Sequence, residues 1–199
     1  MASEVSLERK RQILDAAVRV FAREGFHATR VSDIADEADV AYGLVYHYFP
    51  SKEKVLDELF TERWSLLLVA IEEADKSGED PRDKLRSVAR FIIDSYRYDP
   101  DLMKVIIVEV TRAANSFGRT HLDQIDAAFR LIERIITEGQ RSGAFRTEVD
   151  PYFASMTFYG VIEQLLTGWI FGLLPGGEAE FETADDRVVG MVCDGLESR

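Results

Sequence analysis

Apolar residues recur along this chain at three- and four-residue intervals, with no sustained alternation, so the pattern predicts helices and no strand. Ile13, Ala17, Val20 and Phe21 form the inward stripe of a first helix over about residues 6–24, and Gly25 is its stop. Val31, Ile34, Ala35 and Ala38 repeat the spacing in a short second helix. Asp39-Val40-Ala41 breaks the pattern, and a third helix follows from Tyr42 to Phe49. Leu44, Val45, Tyr48 and Phe49 supply its inward face, which leaves Tyr42, Gly43, Tyr46 and His47 pointing elsewhere. Ser51 is a good N-cap for a fourth helix carrying Val55, Leu56, Leu59, Phe60, Leu66, Leu67, Ala70 and Ile71, ended by Ser77-Gly78. Asp80-Pro81, Asp99-Pro100 and Asp150-Pro151 repeat one start signal, an N-cap followed by proline at the first helical position. They open the fifth, sixth and eighth helices. The sixth is read over residues 102–117, and a seventh from Arg119 to Ser142 is marked by Leu122, Ile125, Phe129, Ile132, Ile135 and Ile136. Pro175-Gly176-Gly177 ends the eighth, and Thr183 with Asp186 reads as a capping box for a last helix bearing Val188, Val189, Val192 and Leu196. The expected fold is all-α, with about nine helices.

Two short helices joined by a three- or four-residue turn make a helix-turn-helix, whose second helix enters the major groove. Residues 42–49 suit that role. Gly43 allows close backbone approach to a duplex, and the phenols of Tyr42 and Tyr46 and the imidazole of His47 can hydrogen-bond phosphates or base edges. Thr29, Arg30 and Ser32 lie at the start of the preceding helix, where hydroxyl and guanidinium groups meet phosphate; Thr29 also suits a helix N-cap. Tyr46 and Lys52 are expected to contact phosphate, and Tyr42, Leu44 and His47 to read bases.

Gly25-Phe26, Thr29, Val31, Ile34-Ala35, Ala38, Val40, Gly43, Tyr46, Tyr48-Phe49 and Lys52-Glu53 resemble, in order and spacing, the DNA-binding signature of the TetR family of transcriptional regulators. The resemblance spans about residues 8–60. It departs at Asp39, where the family usually has Gly, and at Ala41, where it often has Ser or Thr. Asp tolerates the left-handed conformation that the turn requires. Ala41 removes a side-chain cap, a loss of about 0.5–2 kcal/mol, unless Asp39 caps instead. The resemblance implies an N-terminal DNA-binding domain over residues 1–50 and a helical effector-binding and dimerisation domain over residues 51–199.

Hydrophobic content of 46% and charged content of 30% describe a globular chain. A lone Cys193 fits a reducing cytoplasm, and the N-terminus has no apolar run of the signal-peptide kind. The net charge of −12 argues superficially against nucleic acid, but the distribution matters more than the sum. Arg9-Lys10-Arg11 is either part of a basic footprint or a solvated helix start.

The eighth helix is apolar nearly all round, from Phe153 and Met156 to Trp169 and Phe171. Its Glu163 and Gln164 suit a buried helix better than a membrane span. One monomer covers one side of such a helix, so the pattern predicts a homodimer. Two-fold symmetry then sets two recognition helices about 34–36 Å apart on a palindromic operator.

For an effector, Trp64, Phe91, Tyr96, Met103, Phe129 and Trp169 are candidate cavity residues, against the plainer reading of aromatics and methionine at helical spacing as core. Arg112 and Asn115 are either anchors at a cavity mouth or part of a charged edge completed by Glu109. Glu163 must be paired, face a partner chain, or serve a ligand, because a lone buried carboxylate is costly.

The segments GLVYHYFPSKEKVL and FYGVIEQLLTGWIFG are similar to the TetR-family repressors that control fatty-acid degradation. That resemblance implies release from DNA by long-chain acyl-CoA, with Arg112 or a neighbour on the CoA phosphates. The alternative is a helical lipid carrier or enzyme without operator binding. His27, His47 and His121 lack metal-ligand spacing, and no phosphate-loop or dinucleotide fingerprint is present, so no metal, cofactor or catalytic residue is expected.

Overall fold

The structure is a computed structural model that describes residues 2–110 and 119–196. Among the described residues there are nine α-helices and no strand: α1 (Ala2–Glu24), α2 (Val31–Glu37), α3 (Tyr42–Tyr48), α4 (Lys52–Lys76), α5 (Pro81–Tyr98), α6 (Pro100–Lys104), α7 (Arg119–Ser142), α8 (Pro151–Ile170) and α9 (Glu178–Leu196). No helix among them is long and apolar enough to cross a membrane. The chain divides into two compact units, one of Met1–Arg63 with Asp99–Gly118, the other of Trp64–Tyr98 with Arg119–Arg199.

In the first unit α1 packs on α2 and α6, and α2 on α3. Ile13, Val20, Phe21, Ile34, Ala35, Val45, Val55, Leu56 and Phe60 are buried there, and Phe21 meets the edge of Phe26 at 5.4 Å. Gly25, at φ +83°, ends α1 by donating to the Phe21 carbonyl. Asp39 takes φ +51° in the α2–α3 turn, the left-handed conformation that its family position requires. Ala41 sits at the N-cap of α3 and supplies no side-chain acceptor, so the lost cap is real. The expected N-caps also form: Ser51 Oγ accepts from Lys54, and the Asp80, Asp99 and Asp150 carboxylates accept from the first turns of α5, α6 and α8.

Three boundaries differ from expectation. α6 is only five residues long and continues as a π-helix over Val105–Val110, and π-turns inside helices frequently sit at functional places. α8 stops at Ile170, before Pro175, because Gly172 at φ +65° closes it. The Gly172 N–H reaches the Trp169 carbonyl and the Leu173 N–H reaches that of Gly168. α9 begins at Glu178, so Thr183 lies inside it and donates to Ala179 instead of capping. Its first turn holds Glu178 and Glu180, which suit the positive end of a helix, and Phe181 anchors it against Trp169 at 4.8 Å.

In the second unit α7 packs on α8, and α5 packs antiparallel to α9. Leu85, Ile93, Ile132, Ile135, Ile136, Phe158, Ile162 and Val189 fill the core. A ladder of ion pairs flanks it. Arg82, Arg86, Arg90 and Arg97 of α5 pair in order with Asp194, Asp186, Asp185 and Glu178 of α9. Asp185 is the buried member, 3% exposed, and both Nε and Nη2 of Arg90 reach its Oδ2 at 2.8 and 2.7 Å.

Candidate functional site

α2, the left-handed turn and α3 form a helix-turn-helix held on its inner side by Ile34, Ala35, Val45 and Phe49. Gln12 of α1 donates to the last carbonyl of this corner, Ala38 O, at 2.6 Å. What α3 leaves outside is polar and aromatic. Tyr42 and Tyr46 are 52% and 43% exposed, with rings 5.0 Å apart and hydroxyls 3.1 Å apart, one turn of helix along the same face. The hydrogen bond from Tyr42 raises the Tyr46 phenol above its ordinary value. His47 and Gly43 are also exposed, and nothing lies within 4 Å of a Cβ built on Gly43. Leu44 is half-buried at the margin of the face. Tyr48, on the inner flank, meets Ser6 through its hydroxyl at 3.2 Å.

Arg30 is exposed at the N-cap of α2, where its N–H donates to Asp33 at 2.7 Å; Ser32 is half-buried beside it. Acidic groups nearby are partly neutralised. Glu37 accepts from Arg19 at 2.7 Å and from Arg23 at 3.3 Å, and the Arg19 hydrogen bond chiefly holds its carboxyl below the usual range. Of the basic run in α1, Lys10 is tied to Glu58 and Arg9 to Gln12, while Arg11 is exposed.

Two residues expected at phosphates have intramolecular partners in this geometry. Thr29 is 2% exposed, its hydroxyl donates to Gly25 O at 2.9 Å, and the N-cap is Arg30, so Thr29 neither caps α2 nor offers its hydroxyl to a phosphate. Lys52 does not extend into solvent. Its Nζ donates to the carbonyls of Phe26, His27 and Thr29 at 2.8, 3.2 and 2.9 Å. Sequence spacing carries no signal for this, because the partners are backbone oxygens more than twenty residues away. Lys104, whose Nζ donates to Ala22 O at 2.7 Å, was invisible for the same reason.

The expected effector residues fall into separate groups. In the second unit Trp64, Phe129, Tyr152 and Tyr159 form one aromatic cluster, with Trp64–Tyr159 at 5.9 Å and Phe129–Tyr159 at 5.7 Å. Trp64 Nε1 donates to Gln124 O at 2.8 Å, and the buried Gln124 Oε1 has no partner. Tyr96, Trp169 and Phe181 form a second cluster, with Tyr96 stacked on Trp169 at 5.6 Å. Phe91 is half-buried on α5. Met103 is buried in the first unit, and Arg112 and Asn115 lie outside the described residues. Glu163 follows Tyr152 and Tyr159 along one flank of α8; its carboxylate has no partner among the described residues, and burial pushes its pKa up. A cleft of 190 Å³ between α5 and α9 is lined by Arg90, Ile93, Asp94, Arg97, Phe181, Glu182 and Asp185, and so includes none of the expected effector residues. Among the described residues no group of three or more His, Cys, Asp or Glu is placed to hold a metal ion.

Comparison with known proteins agrees with the geometry. The model of bacterial regulatory proteins of the tetR family matches residues 13–59, and that of the YsiA-like protein C-terminal region matches residues 60–173. The fatty acid metabolism regulator protein of Bacillus subtilis is 33% identical over 160 residues, 80% of this chain and 82% of that protein. The HTH-type transcriptional repressor KstR2 of Rhodococcus jostii is 29% identical, covering 96% of this chain and 92% of its own. The crystal structure of FadR from Bacillus subtilis in complex with stearoyl-CoA superposes with a TM-score of 0.83 at 27% identity, over 94% of this chain and 99% of that one. The chain belongs to the TetR family of bacterial regulatory proteins, with α2 and α3 as its helix-turn-helix.

Proposed function

We propose that this protein is a cytoplasmic homodimeric repressor that leaves its operator when a long-chain acyl-CoA binds. In this reading residues 1–50 carry the DNA contacts and residues 51–199 bind the effector and join the protomers. The observation that carries the effector class is the likeness, over nearly the full chain, to a regulator crystallised with stearoyl-CoA. Arg30, Ser32 and Tyr46 contact the duplex backbone, with Tyr42, Leu44 and His47 on base edges and Gly43 admitting the close approach. Trp64, Phe129 and Tyr159 supply apolar wall for an acyl chain, with Glu163 and Gln124 at its polar margin.

The dimer is read from the outer face of α8 and α9. Phe153, Met156 and Met191 are 65%, 47% and 76% exposed. Gly160, one turn beyond Met156 on α8, has open space where a Cβ would sit, so a second helix can come close. Ligand binding lowers operator affinity only by its preference for the state that grips DNA less well, typically worth about 1–3 kcal/mol. Footprinting of DNA flanking the gene, with native mass spectrometry of the purified protein, tests the reading. A protected palindrome and a retained acyl-CoA mass are expected; no palindrome in either ligand state removes the repressor, and a retained ligand of another class replaces the effector.

A further inference from the structure

Tyr42 and Tyr46 stand one turn apart on the exposed face of α3, with rings 5.0 Å apart edge to face and hydroxyl oxygens 3.1 Å apart. A phenol has one O–H to donate and an oxygen that accepts. Two hydroxyls at this distance form one hydrogen bond between them, so one proton is spent inside the pair and the other is left to point outward. The pair therefore presents one donor and one acceptor to whatever α3 meets. The direction of the inner bond decides which residue is which.

Two arguments give the same direction. In the structure the Tyr42 hydroxyl donates to the Tyr46 oxygen. Independently, a phosphate diester carries no proton at neutral pH and only accepts, so a Tyr46 that contacts it has to donate outward. Its O–H cannot then also serve Tyr42. Tyr42 spends its own proton on Tyr46 and turns an acceptor alone toward the duplex.

That limits what Tyr42 can read. In the major groove adenine presents its N6 amino group and cytosine its N4 amino group, whereas guanine and thymine present only acceptors and a methyl group. Resting on the operator reading above, in which Tyr46 meets phosphate and Tyr42 a base edge, we propose that Tyr42 accepts from the exocyclic amino group of an adenine or a cytosine in each half-site. Amino group, Tyr42, Tyr46 and phosphate then form one directed chain of hydrogen bonds, each polarising the next. Tyr46 has two roles in it. It holds the backbone, and it occupies the Tyr42 proton that would otherwise tolerate guanine or thymine.

The test removes one amino group at a time. In the footprinted operator each adenine in turn is replaced by unsubstituted purine, and each cytosine by pyrimidinone, at symmetric positions of both half-sites. Binding of these duplexes to wild type, Tyr42→Phe and Tyr46→Phe is measured; Tyr42→Phe keeps the ring and removes only the hydroxyl. A weakened base pair affects all three proteins alike, so the difference between proteins isolates the contact. At one position wild type is expected to lose about 2- to 10-fold per half-site. Tyr42→Phe is expected to lose that factor on the unmodified operator already and to be indifferent to the replacement. Tyr46→Phe is expected to bind operator and scrambled duplex more weakly and to lose the preference for the amino group, because the Tyr42 hydroxyl is then able to turn. Equal responses of wild type and Tyr42→Phe at every position overturn the proposal. Coupling of Tyr42 to base analogues with carbon in place of N7 also overturns it, as does an amino preference undiminished in Tyr46→Phe. Those results leave the operator reading intact, whereas the absence of any protected operator removes that reading and this inference with it.

Discussion

The two compact units differ in the contacts that fix their most regular features. In the first, side chains grip backbone: Lys52 holds three carbonyls of the α1–α2 corner, Lys104 holds Ala22 O and Gln12 holds Ala38 O. In the second, α5 and α9 are joined side chain to side chain: four arginines of α5 meet four carboxylates of α9. Bonds to backbone fix the path of a corner and so the direction of the residues it carries, which suits a reader of fixed groove geometry. The exposed rungs of this ladder are individually worth about 0–1 kcal/mol, so they hold α9 beside α5 without making it immovable. Precision is concentrated in the unit that meets DNA, and compliance in the unit assigned to the effector.

The comparison is broken most severely at the dimer face. A Cβ at Gly160 meets nothing within 4 Å, so Gly160→Arg should leave the fold in place while the second copy is excluded. Sedimentation should report a monomer, and operator affinity should fall by about 100-fold or more as the two half-sites cease to be bound together. A dimer of unchanged operator affinity would remove the α8 face from the account. Within the reader, Tyr42→Ala should cost about 1–3 kcal/mol on the preferred operator and little on scrambled DNA. Equal losses on both duplexes would make Tyr42 a backbone contact.

The ladder provides the next test. Asp185→Asn leaves a buried acceptor with a weakened arginine partner and should cost about 1–3 kcal/mol. For a chain of this size that lowers Tm by about 2–4 °C per kcal/mol. Arg86→Ala, on the more exposed Asp186 rung, should stay within about 1 kcal/mol. Similar losses for the two variants would mean that burial does not grade the rungs.

The smallest effect concerns Glu163. Burial raises its carboxyl, so the folded state binds this proton at higher pH than the unfolded chain does. Its favourable contribution is full below the unfolded pKa and is lost as pH rises through the folded one. Glu163→Gln should therefore melt above wild type at about pH 7.5, and the two should converge near about pH 4. A difference independent of pH would show that desolvation of the carboxylate is not the cause.

Much of the reader was legible because its signals are local. The i, i+3, i+4 stripe from Val31 to Ala38, the left-handed Asp39, and the outward Tyr42, Tyr46 and His47 all lie within seventeen residues of one another. Thr29 and Lys52 were given phosphates on the basis of residue type, but their partners are carbonyls that no side-chain pattern encodes. Asp80-Pro81 and Asp150-Pro151 identified helix starts in the second unit, as Asp99-Pro100 did in the first, while the early end of α8 depended on Gly172 closing it before the more conspicuous Pro175. The ladder was not legible at all. Its partners lie about a hundred residues apart, and arginines at helical spacing read equally well as a solvated face.

Effector and operator affinities of an acyl-CoA-released repressor are linked. The affinity of the dimer for stearoyl-CoA is measured by calorimetry alone and with saturating operator duplex, and operator affinity is measured with and without stearoyl-CoA. Thermodynamic reciprocity requires both affinities to fall by the same factor, expected to be about 5–150-fold. Stearoyl-CoA binding that is indifferent to the operator, or operator binding indifferent to stearoyl-CoA, would contradict an acyl-CoA-released repressor.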